Sequence, residues 1–171
     1  MESTIFAIAA LGKGSLSIMP KPDTADLHRT FEAIKSHGAS QLVSLLESSE
    51  ADLLGLADEA TWCEQFQLEF LHYPITDFST PTSVIDFAVF TRNLHLRIQD
   101  GAQVVIHCRG GIGRAGMTAS SVLIHSGYGA DVAIGTVSKA RGKAVPETDD
   151  QKAFITDIER WADQSNKKKG R

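Results

Sequence analysis

Residues 104–124, VVIHCRGGIGRAGMTASSVLI, constrain the fold more than any other stretch of the chain. An apolar run of strand length passes through a glycine cluster into a second apolar run of helical length, with no room for a linker. A buried strand must therefore hand over directly to a buried helix. Three further runs rich in Val, Ile, Leu or Phe, at residues 5–10, 41–46 and 68–73, read as strands beside residues 103–107. Stretches with helical periodicity lie between and after them, at residues 23–37, 53–66, 83–99, 115–126, 130–141 and 149–163. Strands alternate with helices early and helices cluster late. This order predicts an α/β domain with a mostly parallel central sheet of four to five strands flanked by helices, because parallel neighbours need crossover connections.

The 171 residues suffice for one core and not for two. We read residues 1–165 as one domain and the NKKKGR stretch, 166–171, as a basic, disordered tail. A formal net charge of -4 excludes a globally basic nucleic-acid or membrane-surface protein, so any anion site must be local. The apolar start at Ile5 is short, preceded by Glu2 and without a basic leader, which fits a buried strand rather than a secretory signal or membrane span. With two cysteines, Cys63 and Cys108, the chain does not read as a disulfide scaffold. A reducing, cytoplasmic setting is expected.

Five residues separate Cys108 from Arg114, and three of them, Gly110, Gly111 and Gly113, are glycine. Glycine admits backbone angles that let successive N–H groups turn toward one centre. A helix opening at Arg114 points its positive end into the same space, so residues 109–114 form an anion cradle suited to phosphate. The planar guanidinium of Arg114 matches two phosphate oxygens, and Cys108, at the strand end beside those amides, is placed as a thiolate nucleophile. His107 is expected to orient the cysteine or the loop rather than to take a proton. The alternative is a glycine-rich turn with an inert buried cysteine.

HCRGGIGR matches the H-C-x-x-G-x-x-R signature of the protein tyrosine and dual-specificity phosphatase superfamily, and the chain most resembles small dual-specificity enzymes of the cyclin-dependent kinase-associated phosphatase type. The resemblance spans the first strand to about Trp161. It implies a dual-specificity phosphatase-like fold and metal-independent phosphomonoester hydrolysis through a phosphocysteine at Cys108. Arg109, Gly110, Gly111, Ile112, Gly113 and Arg114 then hold the phosphate.

Such chemistry needs a carboxylic acid on a loop near the phosphate, and HYPITDFSTP, residues 72–81, supplies Asp77 as the expected general acid. Phe78 stands where the resembled loop has glycine. Asp77 could instead cap a turn, whereas Asp86 suits a helix cap. In AVPETDDQKAF, residues 144–154, Gln151 matches a glutamine that places the hydrolytic water in several relatives, while Thr148 and the following acids equally read as a helix start. Ala115 replaces the Ser or Thr that relatives carry after the arginine, which predicts slow breakdown of the phosphoenzyme unless Thr118 substitutes. Cys63 reads as a core residue over a redox partner for Cys108. The histidines show no metal-binding spacing, so neither metal nor cofactor is expected.

The expected partner is a phosphorylated protein or peptide, phosphotyrosine first and phosphoserine or phosphothreonine second, met by a monomer. The alternatives are a catalytically weak phosphoprotein-binding module and a phosphatase of phosphoinositides or inositol phosphates. A sulfur transferase or arsenate reductase is a further rival, against which the Asp77 loop argues.

Overall fold

The computed structural model describes residues 4–170, so Glu2 and Arg171 lie outside the described residues. The elements run β1 (Phe6–Leu11), β2 (Gly14–Met19), α1 (Leu27–Ser36), β3 (Gln41–Ser44), α2 (Ser48–Leu53), α3 (Glu59–Gln65), β4 (Glu69–His72), α4 (Val84–Asp100), β5 (Gln103–His107), α5 (Gly113–His125), α6 (Ala130–Arg141) and α7 (Asp149–Lys169). The sheet has the order β1-β2-β5-β3-β4. Only β1 pairs antiparallel; β2, β5, β3 and β4 are parallel.

The three inner strands are buried on both faces, with Leu16, Ile18, Leu42, Val43, Val104, Val105 and Ile106 nearly inaccessible. This explains their near-continuous apolar runs. One face carries the larger core, where Ile106, Cys108, Met117, Val122, Phe154 and Ile158 meet under α4 to α7. The other carries Met19, Phe31, Ile34, Cys63 and Leu68 under α1 and α3. In register, His107 faces Met19 of β2 and Ser44 of β3, so the C-terminal ends of the three central strands converge where Cys108 begins the glycine loop.

Four details depart from the sequence reading. β2 is absent from the four expected strands. A tight turn at Gly12, φ +60, folds it against β1, and Gly14 lies so close to the Ile98 and Ala102 carbonyls that no side chain fits there. The helix expected over residues 53–66 forms only as α3, Glu59–Gln65, while α2, Ser48–Leu53, was not expected; Gly55, whose φ of +74 cannot continue a helix, stands between the two. The helix expected over residues 23–37 starts only at Leu27, where Asp26 caps α1 by accepting from the Arg29 amide at 3.0 Å. Finally, α7 continues through Lys169 where a disordered tail was expected. Its last-turn lysines, Lys167, Lys168 and Lys169, complement the negative end of the helix dipole.

Candidate active site

Cys108 follows β5 directly and is 3% exposed. The loop after it has an orderly backbone. The Cys108 carbonyl accepts from His107 Nδ1 at 3.2 Å, and that of Arg109 from the Lys21 amide at 3.1 Å. The carbonyls of Gly110 and Gly111 accept from Arg141 Nη2 and Nε at 3.2 and 2.9 Å, and that of Ile112 from the Gly116 amide at 3.0 Å. Five successive carbonyls are thus bound by donors around the loop. Because each peptide unit is planar and its N–H opposes its C=O, the intervening amides are turned away from those donors. Gly111, at φ +64, packs on the Met19 and Pro20 backbone so closely that a Cβ would lie 2.6 Å from it. Ile112 precedes α5 without a side-chain cap, so the dipole end of a 13-residue helix faces the loop.

Arg114, in the first turn of α5, is 1% exposed. Its Nη1 donates to Glu50 Oε2 at 2.7 Å and to the Ile75 carbonyl at 2.9 Å. Its Nη2 donates to Glu50 Oε1 at 2.9 Å and meets Asp77 Oδ1 at 3.0 Å. Its Nε has no hydrogen-bond partner among the described residues. Burial works against the charged guanidinium, yet the bond to Glu50 and the charges of Cys108, Glu50 and Asp77 overcome this and raise its pKa. The effect of Cys108 places thiol and guanidinium in one electrostatic neighbourhood. Glu50 responds in the opposite sense: the Arg114 hydrogen bond holds its carboxyl below the usual range despite burial. α2 carries Glu50, which pattern reading overlooked because its partner lies 64 positions away.

Asp77 occupies the loop between β4 and α4. Its Oδ1 also accepts from the Phe78 amide at 3.0 Å. Phe78 has a φ of +57 and is 63% exposed. Gln151 is fully buried and spends its amide locally: Nε2 donates to the Ser79 carbonyl at 3.1 Å, while Oε1 accepts from the amides of Glu147 and Thr148 at 3.1 and 3.3 Å. Thr148 and Gln151 form a capping box at the start of α7. The segment follows the helix-start reading, and the side chain that caps α7 also holds the Asp77 loop. Gly113 lies against Gln151 and the Glu147 carboxylate.

Behind the loop, buried His107 places Nε2 2.5 Å from Oε1 of buried Glu59. The ring is thus held from both nitrogens. Glu59 carried no local signal, since a carboxylate in a short helix reads as solvated. Ala115 is fully buried, and Thr118 donates to the Arg114 carbonyl at 2.8 Å, so its hydroxyl serves the helix. Cys63 packs in the core on the opposite face from Cys108, and burial, aided by the Glu59 charge, pushes its thiol up to about 12. Among the described residues no cluster of His, Cys, Asp and Glu is arranged to hold a metal ion, and no helix is long and apolar enough to cross a membrane.

Residues 19–128 match the family model Tc-R-P, described as polymorphic toxin system, DSP-PTPase phosphatase. A protein of Invertebrate iridescent virus 6 named "Putative tyrosine phosphatase 197R" is 27% identical over 122 residues, which are 66% of this chain and 46% of that protein, so the chain spans about half the length of this curated relative. Among solved structures, Tk-PTP in its active form is 30% identical with a TM-score of 0.71, covering 90% of this chain and 96% of its own. Kinase associated phosphatase, with its catalytic-site cysteine substituted by serine, has a TM-score of 0.82 at 18% identity, covering 93% of this chain and 95% of its own.

Proposed function

The chain belongs to the DSP-PTPase phosphatase family described for polymorphic toxin systems, and from that membership we propose that it hydrolyses phosphomonoesters through a phosphocysteine at Cys108. The observation that carries this reading is the carbonyl arrangement from Cys108 to Ile112, each carbonyl bound by a donor. In the proposal the amides, turned away from those donors, face one centre beside Arg114. That centre suits a tetrahedral oxyanion and its trigonal transition state.

The proposed chemistry has two steps. The Cys108 thiolate attacks phosphorus, the bond from phosphorus to the leaving oxygen breaks, and Asp77 gives that oxygen its proton. Water then attacks the phosphocysteine, the P–S bond breaks to restore the thiolate, and Asp77 takes the proton from water. Inorganic phosphate leaves. Arg114 supports both steps through Nε, which has no partner among the described residues, and through the Nη2 hydrogen that is not donated to Glu50. Asp77 lies on Nη2, in the seat of a phosphate oxygen, and yields it when substrate binds. Its carboxylate then lies close to the leaving group. Glu50, clamping the far edge, keeps the guanidinium plane aimed at the loop.

The proposed substrates are phosphotyrosine, and secondarily phosphoserine or phosphothreonine, in proteins or peptides, met by a monomer in a reducing, cytoplasmic setting that keeps Cys108 a free thiol. Turnover of an aryl phosphate near pH 6 without added metal tests the reaction. Cys108→Ser should lower kcat by at least about a thousandfold while leaving phosphate binding intact; retention of full activity would exclude the mechanism. A second reading, a phosphoprotein-binding module with slow turnover, is favoured by Ala115 and by the Thr118 hydroxyl being spent on Arg114. It predicts a burst of one product per protein followed by near silence. An Asp77→Ala trap presented with phosphopeptides and phosphoinositides distinguishes the substrate classes.

A further inference from the structure

Arg141 lies in the last turn of α6, far from Cys108 in the chain, and no feature of its sequence surroundings marks it. In the fold it reaches the back of the glycine loop. Its Nε donates to the Gly111 carbonyl at 2.9 Å and its Nη2 to the Gly110 carbonyl at 3.2 Å, so one edge of the guanidinium fork spans two successive peptide units. The face of the same guanidinium lies 4.2 Å from the centroid of the Phe6 ring on β1. No carboxylate pairs with it among the described residues.

We propose that Arg141 is a positioning residue for the phosphate loop, holding the Gly110 and Gly111 peptide planes so that the amides of Gly111 and Ile112 face the phosphate, with Phe6 fixing its guanidinium. The inference rests on the phosphate-site reading of that loop. The physical reason begins with glycine. Gly110 and Gly111 have no side chains to hold their peptide planes, and Gly111 stands at φ +64, a conformation that glycine adopts without strain and other residues resist. An anion site needs those planes in one orientation, since a carbonyl turned inward would oppose the phosphate. Main-chain partners hold the planes on either side, through the Lys21 amide on Arg109 and the Gly116 amide on Ile112. The two central planes depend on Arg141.

A guanidinium suits this task because Nε and Nη2 are rigidly spaced donors, whereas an ammonium is a single point. Its positive charge, set behind the two carbonyls, also polarises those peptide units so that their N–H ends become better donors to an anion. Phe6 offers the negative face of its ring to the guanidinium plane and limits its swing. The edge hairpin β1–β2 thus contributes twice to the loop, through Phe6 and through the Met19 and Pro20 backbone under Gly111.

The test measures inorganic phosphate affinity through protection of Cys108 from alkylation by iodoacetate, beside aryl phosphate turnover and Tm for each variant. Cys63, buried with its thiol pushed up to about 12, does not compete for the reagent. Arg141→Gln should weaken phosphate binding tenfold or more, with KM rising in parallel. Arg141→Lys should fall between Gln and wild type, Phe6→Leu should weaken binding severalfold, and Phe6→Tyr should restore it. A merely structural role would lower Tm without changing phosphate affinity in the folded protein. Arg141→Gln binding phosphate within twofold of wild type overturns the proposal. If that variant does not fold, wild-type affinity in both Arg141→Lys and Phe6→Leu overturns it equally. The phosphatase reading fails separately: wild type that binds phosphate yet never turns over sinks that reading and spares this one, and wild type that binds no phosphate sinks both.

Discussion

Ala115 and Arg114 are neighbours with opposite consequences. Arg114 has its guanidinium oriented by Glu50 and Ile75, so the charge that the sequence placed near Cys108 arrives already aimed. In the proposed mechanism the sulfur must leave as a thiolate, and Ala115 offers it no hydroxyl, while Thr118 is committed to the Arg114 carbonyl. A hydrogen bond to a charged group contributes about 1.5–3 kcal/mol, so Ala115→Ser should speed phosphoenzyme breakdown by about tenfold or more. Rapid-quench measurement of the phosphocysteine lifetime checks this. A lifetime unchanged by the new hydroxyl would mean that breakdown is limited elsewhere. At the same scale, Cys108, Arg114 and Asp77 could be named as candidates from residue type, spacing and family resemblance. Glu50, Glu59 and Arg141 could not, because each acts on a partner distant in sequence and none sits in a recognisable pattern.

At the scale of elements, the Asp77 loop is tied down at both ends of its working part. Thr76 donates through Oγ1 to Glu47 at 3.0 Å, and Gln151, from the first turn of α7, donates to the Ser79 carbonyl. Between these ties stands Phe78, a bulky residue at a positive φ that costs about 1–2 kcal/mol for any side chain with a Cβ. Phe78→Gly relieves that strain and removes an exposed ring; part of the gain is lost to the greater freedom of the unfolded chain. We expect Tm to rise by about 2–4 °C, the shift that about 1 kcal/mol produces in a chain of this size. Calorimetry checks it, and a fall in Tm would mean that the ring supports the loop. The same scale accounts for the misread helix over residues 53–66. Its apolar pattern holds only over α3, because Gly55 at φ +74 ends any helix there; α2 lies before that break and brings Glu50 against Arg114.

Over the whole molecule, stability should depend on pH through a group far from the phosphate loop. His125, at the end of α5, is pushed down to about 4 by burial, with the charges of His95 and Arg92 adding to the effect and a backbone hydrogen bond to Ala88 opposing it. Thr91 Oγ1 lies 3.0 Å from its Nε2, and Trp161 of α7 meets its ring edge-on. The folded protein therefore keeps His125 neutral over a range in which the unfolded chain takes up a proton. Stability is fully present above the unfolded value of about 6.5 and falls as pH drops toward about 4, by at most about 3 kcal/mol. Urea unfolding at pH 7 and pH 4.5, in wild type and His125→Gln, should show a smaller loss in the variant. An equal loss would assign the effect to other groups. His95, also lowered by burial, contributes in the same direction.

What the sequence determined by itself is local: a strand passing through a glycine loop into a helix, a cysteine and an arginine at the two ends of that loop, and a family signature across them. Those features depend on neighbours within a few positions, where backbone freedom, dipole direction and residue chemistry suffice. Tertiary structure decided what depends on distance in the chain. It added β2 as a central partner of β5, turned five loop carbonyls toward donors drawn from β5, the segment after β2, α5 and α6, and set Glu50 and Asp77 on one guanidinium. A peptide plane is oriented by whatever bonds its carbonyl, and most of these partners are known only once the chain has folded.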